Sequence, residues 1–182
     1  MHRLPVIHRD LKPENILRRQ GRYKIGDLGF ARVLEHNNSI VYTSLGTPMY
    51  MAPEIIKQQP YNLKVDIWSL GVIFYQLLFR RLPYNYRSNN NQHMRKVMDE
   101  TEVSYEGVNV PESSLDFIRC CLKADPKERM GWTELKSHKI FKENQLYISG
   151  DMLEEPDIKI LPIPSKNDVD GDEFSCLEKE EL

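Results

Sequence analysis

Residues 63–79 place the strongest limit on how this chain of 182 residues can fold. Large apolar side chains recur through the segment on nearly every face of a helix, rather than along the single stripe of a surface helix. The longest apolar stretch within it, residues 67–79, is too short to span a bilayer and contains Ser69, Gly71 and Gln76. The pattern predicts a buried helix that other elements enclose and that forms the axis of the core.

The rest of the pattern predicts a fold that is mainly α with short β-strands. Short β-prone pieces, separated by polar or glycine-containing turns, precede the central helix at residues 6–7, 16–17 and 23–25. Beyond the central helix, apolar spacing predicts helices at residues 93–101 and 133–138. Ser113, with Asp116 three residues later, resembles a capping box and predicts that another helix begins there.

The composition of the chain changes near residue 142. Residues 1–142 carry 22 basic and 15 acidic residues, a net charge of +7, whereas residues 143–182 carry 3 basic and 12 acidic residues, a net charge of −9. The second part also loses periodicity and contains Pro156, Pro162 and Pro164. We expect one domain over 1–142 and an acidic, disordered tail over 143–182. The basic domain suits polyanions such as nucleotide phosphates, and a solvated surface of mixed charge explains it equally well.

Cysteine usage and the first residues bear on the cellular compartment. Cys120 and Cys121 are neighbours and Cys176 lies in the tail, so the three cysteines cannot form the framework of a small secreted domain. The first ten residues contain no apolar stretch long enough for a signal peptide. A reducing compartment, the cytoplasm or the nucleus, fits this composition. We expect no membrane span and no nucleic-acid partner.

Two neighbouring cysteines and the histidines outside the motifs are interpreted as structural residues. Cys120 and Cys121 lie on the helix that follows Ser113, and we interpret them as small core residues rather than reactive thiols. His2, His36, His93 and His138 show no spacing with cysteines or carboxylates that indicates a metal site. We therefore expect them to lie at the surface or to pack against neighbours.

Residues 8–15, His-Arg-Asp-Leu-Lys-Pro-Glu-Asn, contain the groups that phosphoryl transfer needs. That reaction requires a carboxylate beside the attacking hydroxyl, a cation on the transferring phosphoryl group and oxygen ligands for a metal ion. Asp10, Lys12 and Asn15 supply these groups on one loop. The eight residues resemble the catalytic loop of eukaryotic Ser/Thr protein kinases. The resemblance implies that Asp10 accepts the proton of the substrate hydroxyl, Lys12 neutralises charge on the γ-phosphoryl of ATP, and Asn15 binds Mg²⁺.

A second motif, Asp27-Leu28-Gly29, follows a predicted strand in the place of the family's Asp-Phe-Gly. The resemblance implies that Asp27 chelates the Mg²⁺ ion that bridges the phosphates of ATP. The metal-binding carboxylate and the flexible glycine are kept. Leu28 replaces the family's phenylalanine, so a smaller side chain fills a pocket that is normally shared with the upper lobe.

Residues 46–54, Gly-Thr-Pro-Met-Tyr-Met-Ala-Pro-Glu, resemble the segment that closes the activation loop of a Ser/Thr kinase and docks its substrate. The resemblance implies that Thr47 supports the substrate platform beside the catalytic carboxylate and lysine. It also implies that Glu54 pairs with a buried arginine, Arg129. Together with residues 27–32, this segment looks like the autophagy-initiating or calcium/calmodulin-regulated kinase groups.

Asp66 begins the sequence Asp-Ile-Trp-Ser-Leu-Gly, which resembles the signature of the family's central helix. In isolation these residues would indicate only a capped core helix. With the other motifs in order, the resemblance implies that Asp66 accepts hydrogen bonds from the catalytic-loop backbone and holds that loop in place.

Two arginines indicate a phosphate pocket by the same resemblance. Arg9 precedes the catalytic carboxylate, and Arg32 follows the metal-binding motif where the family often places a basic group. The hypothesis is that an upstream activating kinase phosphorylates Thr43 or, as the second candidate, Ser44, and that the phosphate orders the loop through charge-assisted hydrogen bonds. The alternative is a pair of solvated arginines beside ordinary hydroxyl groups.

The sequence shows no glycine-rich loop, strand lysine or helical glutamate of the kind that binds ATP in the upper lobe of this family. We therefore expect the C-terminal (lower) lobe of the protein kinase fold, with the N-terminal lobe absent. A truncated or wrongly predicted gene product, a true fragment that acts by binding, and a half that needs another chain all stay open. The family transfers the γ-phosphoryl of ATP to Ser or Thr hydroxyls of protein substrates. We expect negligible activity from this chain alone, and a non-catalytic module that binds substrates or regulators is the alternative.

Overall fold

A computed structural model describes residues 5–34, 36, 39–86 and 90–143. In this part of the chain, four short strands form two antiparallel pairs, β1 (Val6–Ile7) with β4 (Arg32–Val33) and β2 (Ile16–Arg19) with β3 (Arg22–Ile25). The α-helices are α1 (Pro53–Ile56), α2 (Lys64–Phe79), α3 (Asn91–Glu100), α4 (Glu112–Cys121), α5 (Trp132–Ser137) and α6 (Lys139–Glu143). The prediction of a mainly helical fold with a few short strands is confirmed.

The hairpin of β2 and β3 depends on its two turn residues. Gln20 and Gly21 both have positive φ angles, 50° and 78°, as in the two-residue turns whose twist matches that of the flanking strands. Ile16 lies opposite Ile25 at the open end of the hairpin. The hairpin therefore returns the chain from residues 8–15 directly to the Asp-Leu-Gly segment.

Helix α2 is the axis of the core, which confirms the prediction from its apolar pattern. Ten of its sixteen residues are buried, and Ile67 and Trp68 are completely inaccessible. Gly71 lies where α4 comes closest, because a Cβ atom there would be 2.5 Å from the Cβ atom of Cys121. A glycine within a helix costs about 0.5–1 kcal/mol relative to alanine, and here it permits the close contact of two helices.

The two neighbouring cysteines lie on α4, where it packs against α2. Cys121 is fully buried and Cys120 is half-buried. Burial raises the pKa of the Cys121 thiol to about 12, so this side chain stays protonated near neutral pH. The interpretation as a small core residue is confirmed for Cys121, whereas Cys120 packs at the edge of the core and stays half-buried.

The start of α4 corrects one prediction. The helix begins at Glu112, after Pro111, which lies outside the helical region at φ −56° and ψ 143°. Ser113 is therefore the second residue of the helix, and its buried hydroxyl has no hydrogen-bond partner among the described residues. The predicted capping box of Ser113 and Asp116 is wrong, because the residue that caps the helix is Pro111, two residues earlier, and Ser113 is buried within the first turn.

The other predicted helices are present with shifted ends. Helix α3 begins at Asn91, where the Asn90 side chain accepts hydrogen bonds from two backbone N–H groups of the first turn. Helix α5 begins at Trp132, where the Glu134 carboxylate accepts a hydrogen bond from the N–H of Gly131. None of the helices in the described ranges combines the length and apolar character that a bilayer crossing requires.

The described residues belong to the first of two compact units of the chain, residues 1–146. The predicted acidic tail lies outside the described residues, apart from Glu143, the last residue of α6. The predicted domain boundary at residue 142 stays a prediction.

Candidate functional site

The backbone of residues 8–15 is held by a carboxylate from α2. Asp66 is 3% exposed, and its two oxygens accept hydrogen bonds from the backbone N–H groups of His8, at 2.7 Å, and Arg9, at 2.9 Å. Burial raises the pKa of Asp66, although these two bonds act in the opposite direction. Arg9 has a φ angle of 71°, a conformation that costs a non-glycine residue about 1–3 kcal/mol. Asp66 stabilises the loop in this strained conformation.

Gly46 contacts the same strained residue from the opposite segment. A Cβ atom at this position would be 2.4 Å from the carbonyl oxygen of Arg9, and Gly46 itself has a φ angle of 122°. Both features require glycine. Gly46 belongs to the motif of residues 46–54, but its own role could not be predicted, because a close backbone contact leaves no signal in one sequence.

Asp10 is the most connected side chain of the loop. It is 4% exposed, and its Oδ1 accepts hydrogen bonds from both the backbone N–H and the hydroxyl of Thr47, each at 2.7 Å. Its Oδ2 lies 2.9 Å from the ammonium of Lys12 and accepts a longer bond, 3.3 Å, from the amide of Asn15. Burial alone would raise the pKa of Asp10, but the hydrogen bonds from Thr47 and Lys12 outweigh it and hold the pKa below its usual value.

Thr47 joins the two charged groups. Its hydroxyl donates to Asp10 and accepts a hydrogen bond from the Nζ of Lys12 at 3.0 Å. The hydrogen bond to Asp10 raises the pKa of Lys12, so the lysine carries its charge at neutral pH. The structure thus brings together an ionised carboxylate, an ammonium group and a hydroxyl, from two segments that are 35 residues apart or more.

The position of Asp10 makes the free energy of unfolding depend on pH. The pKa of Asp10 is below 3.8 in the folded state, so at acidic pH the unfolded state binds more protons than the folded state. The stability that Asp10 contributes is therefore lost as the pH falls from about 4 through the folded-state pKa. We expect the difference in unfolding free energy between the wild type and Asp10→Asn to shrink over this range in urea titrations. A difference that stays constant from about pH 6 to about pH 3 would contradict this assignment of the Asp10 pKa.

His8 and Asn15 connect this loop to the Asp-Leu-Gly segment. The backbone oxygen of Asn15 accepts a hydrogen bond from the N–H of Gly26 at 2.8 Å. His8 lies between the two segments, with Nε2 at 3.1 Å from the carbonyl oxygen of Gly26 and Nδ1 accepting from the N–H of Asp10 at 3.3 Å. This pattern fits the histidine tautomer with its proton on Nε2. This connecting role of His8 was not predicted from the sequence, although the residue is the first of the motif.

Asn15 and Asp27 offer the oxygen atoms that a hard cation prefers. The Asn15 amide nitrogen donates to the backbone and side chain of Asp10, which leaves its Oδ1 without a hydrogen bond from the described residues. Asp27 is exposed with a φ angle of 54°, and only its Oδ1 accepts a hydrogen bond within this part of the chain, from Gly29 at 3.3 Å. An amide oxygen and a carboxylate oxygen fit the ligand chemistry of Mg²⁺.

Glu54 and Arg129 form a buried, bidentate ion pair. The two hydrogen bonds are 2.7 and 2.9 Å long, and the two side chains are 4% and 0% exposed. Arg129 also donates to the carbonyl oxygens of Lys123, Lys64 and Ala124 and lies over the ring of Trp68, 5.1 Å from its centroid. Every polar group of this buried guanidinium is therefore satisfied locally, and the pair joins α1 to the segment after α4.

Of the two arginines predicted to form the phosphate pocket, one contacts Thr43. The Nη1 of Arg9 donates to the hydroxyl of Thr43 at 2.8 Å, and the Tyr61 hydroxyl lies 3.3 Å from the same oxygen. Arg32 is exposed on β4, and no contact joins it to Thr43 or Ser44 in the described structure. Thr43 is therefore brought together with one of the two arginines. Tyr61 is a neighbour that sequence reasoning did not identify.

Comparisons with known proteins agree with this geometry. The family model described as "Protein kinase domain" matches residues 1–141. The chain is 39% identical over 146 residues to Serine/threonine-protein kinase TIO of Arabidopsis thaliana, covering 80% of this chain and 11% of that protein. It is 38% identical to Serine/threonine-protein kinase ATG1c of Arabidopsis thaliana (78% of this chain, 20% of that protein). It is 35% identical to human Calcium/calmodulin-dependent protein kinase type 1B (87% and 45%). The chain thus spans less than half the length of each of these relatives.

Proposed function

This chain belongs to the protein kinase family, with similarity to Ser/Thr kinases, and from this premise we propose that it carries the part of the domain that transfers the γ-phosphoryl of ATP to protein Ser or Thr hydroxyls. The observation that carries the proposal is the contact set around Asp10. A buried, ionised carboxylate, an ammonium group and a platform hydroxyl meet within hydrogen-bond distance. Phosphoryl transfer depends on such positioning more than on covalent chemistry by the protein.

Asp10 is the acceptor of the substrate proton in this proposal. Its Oδ1 already accepts two hydrogen bonds from Thr47, whereas its Oδ2 is paired with Lys12 and, more weakly, with Asn15. A substrate hydroxyl therefore approaches Oδ2 of Asp10 and displaces the ammonium group of Lys12 from that oxygen. The freed ammonium group then lies on the γ-phosphoryl, where it offsets the negative charge of the transition state. Lys12 is suited to this shift because its side chain is 23% exposed.

Asn15 and Asp27 would hold the metal ion through their unpaired oxygens. When bound, Mg²⁺ neutralises charge on the phosphates of ATP and fixes their orientation. The protein's own contribution is to hold the two ligands at the end of the hairpin. Gly26 does so by donating a hydrogen bond to the backbone oxygen of Asn15 and accepting one from Nε2 of His8.

We further propose that this unit is the lower lobe of the kinase fold, and its exposed apolar surface supports this. Leu17, Tyr23, Ile25 and Leu28 are 57–68% exposed and belong to the hairpin and the segment directly after it. Tyr23 and Ile25 lie on one face of the hairpin and Leu17 on the other, and exposed apolar side chains on both faces of so short a hairpin indicate a surface that another body covers. An upper lobe that packs here would supply the adenine and phosphate contacts that these residues do not provide, next to Asp27.

The test is to supply the upper lobe of Calcium/calmodulin-dependent protein kinase type 1B, fused before residue 5. We expect this chimera to transfer labelled phosphate from ATP to a Ser/Thr peptide, and the chain alone to show negligible transfer. Folding of the chimera is checked by nucleotide binding. A chimera that binds Mg²⁺ and ATP but transfers no phosphate would contradict the proposal. If it still binds peptide, the result would favour a non-catalytic binding module.

Phosphorylation of Thr43 by an upstream kinase is the regulatory part of the proposal. The Arg9 guanidinium already contacts the Thr43 hydroxyl, so a phosphate there gains charge-assisted hydrogen bonds. We expect homogeneous phosphothreonine at position 43 to raise the unfolding free energy by about 1–2 kcal/mol. Phosphoserine at position 44, which contacts no arginine among the described residues, is the matched control and should have little effect. Equal effects at both positions would contradict a specific pocket.

The kinase group of this chain, its cellular location and its partners are the remaining parts of the proposal. One relative is calcium/calmodulin-dependent, which is one of the two kinase groups predicted from the sequence. The cytoplasmic or nuclear location, protein substrates as partners and the lack of a nucleic-acid partner stay predictions.

A further inference from the structure

A second group of chemically reactive side chains lies on α4 and at the junction of α5 and α6, apart from the kinase motifs. Asp116 and Cys120 are four residues apart on α4, so they lie on the same face of that helix. His138 connects α5 to α6. A carboxylate oxygen, the Sγ atom and a ring nitrogen from these three residues all lie within 4.8 Å of one another.

The histidine of this group is buried and held in place. Its side chain is 9% exposed, and its ring packs edge-to-face against Phe117 with centroids 5.1 Å apart. Its Nδ1 accepts a hydrogen bond from the N–H of Ile140 at 3.2 Å. Its Nε2 is buried and lies 3.3 Å from Asp116, but it makes no well-directed hydrogen bond within the described residues. A buried nitrogen with only this contact is open to a better partner.

The other two side chains can adapt to an ion. Cys120 is half-buried and not in a disulfide, and burial together with the charge of Asp116 raises the pKa of its thiol. Asp116 also lies 3.1 Å from the ammonium of Lys139, whose side chain is 48% exposed and can turn to solvent. One thiol, one imidazole and one carboxylate form a donor set that prefers Zn²⁺ over Mg²⁺ or Ca²⁺.

We propose that Asp116, Cys120 and His138 bind a zinc-like divalent cation, with a fourth position open to water. Ligand atoms of a tetrahedral zinc site are roughly 3.5 Å apart, so the widest separation must shorten by about 1 Å. Binding displaces the thiol proton of Cys120 to solvent. The proton of His138 moves from Nε2 to Nδ1, so the ring stays neutral and Ile140 loses its acceptor. The site then carries no net charge, since the thiolate and the carboxylate balance the ion.

The site could not be predicted from residue spacing. His138 follows Cys120 at a distance in sequence that matches no common zinc motif, so the sequence predicts only a surface or packing role for His138. The turn between α5 and α6 brings the ring back to α4. This inference does not depend on the proposed kinase activity, because it concerns residues outside the catalytic loop.

The test is calorimetric titration of Zn²⁺ into the full chain carrying Cys176→Ser, which removes the thiol of the tail. We expect one ion to bind with release of one proton, measured from the buffer dependence of the enthalpy. The variants Cys120→Ser and His138→Gln should each weaken binding by more than about 100-fold. His36→Gln, which changes an exposed histidine, should leave binding unchanged. Thermal unfolding without metal verifies that each variant is folded.

A second measurement needs no substitution in the site. Nitrogen NMR of the His138 ring should show the proton on Nε2 without metal and on Nδ1 with Zn²⁺, together with a shift of the Ile140 amide. Absence of binding, or binding that both ligand variants leave unchanged, would overturn the proposal. So would zinc binding that leaves the His138 tautomer as it was.

Discussion

Replacing Glu54 with glutamine lowers the free energy of unfolding by about 3–5 kcal/mol, because it leaves the charge of Arg129 buried without its partner. The pair is inaccessible to solvent, so water cannot replace the lost carboxylate. The remaining acceptors of Arg129 are backbone carbonyl oxygens, which do not neutralise its charge. Urea unfolding at neutral pH, followed by tryptophan fluorescence, measures the change, since Trp68 packs against Arg129.

The matched control is the ion pair of Lys57 and Asp99. It is as short as the buried pair, at 2.6 Å, but its side chains are 32% and 57% exposed. Asp99→Asn should therefore change the unfolding free energy by less than about 1 kcal/mol. Equal losses for the Glu54 and Asp99 variants would show that burial is not the origin of the stabilisation.

Replacing Asp10 with asparagine lowers the turnover number for phosphoryl transfer by about 100-fold to 10,000-fold, the usual contribution of a general base. The comparison is made in the chimera that carries an upper lobe. Asparagine keeps the size of the side chain and can still accept hydrogen bonds from Thr47, but it cannot accept a proton. The KM for ATP should change little, because Asp10 is not one of the proposed metal ligands.

The variant Thr47→Val tests how much the positioning of Asp10 and Lys12 contributes to turnover, because Asp10 can still accept a proton. It removes the hydroxyl that joins Asp10 to Lys12 while the backbone N–H of residue 47 still donates to Asp10. We expect a loss of turnover smaller than that of Asp10→Asn. Turnover of Asp10→Asn within threefold of the wild type would contradict the assignment of Asp10 as the base.

Local patterns and contiguous motifs made much of this structure predictable. Helix α2 is apolar on nearly every face, and that pattern has one stable outcome, enclosure by other elements. The strands near Ile7, Ile16 and Ile25 were predictable for a similar reason, since short β-prone pieces between turn residues leave few alternatives. The family resemblance then placed Asp10, Lys12 and Thr47 in one site before any distance was known.

Features that depend on contacts between residues far apart in the chain could not be predicted from the sequence. The positive φ of Arg9 and its contact with Gly46 involve residues 37 positions apart, and neither is unusual by itself. The capping box at Ser113 failed because the start of α4 depends on Pro111 and on packing against α2, which local pattern cannot weigh. Arg32 was expected at the phosphate pocket, but pairing of β4 with β1 leaves its side chain exposed.

The most direct test of the proposed function is Mg²⁺-dependent binding of ATP to the chimera that carries an upper lobe, measured as a rise in its thermal stability. A ligand that binds only the folded state raises its stability, by about 0.4 kcal/mol when its concentration equals the Kd and by about 2.7 kcal/mol at 100 times the Kd. We predict a rise in Tm at millimolar ATP that requires Mg²⁺ and that Asp27→Asn abolishes. No rise, or a rise that Asp27→Asn leaves intact, would contradict a nucleotide site built on Asn15 and Asp27.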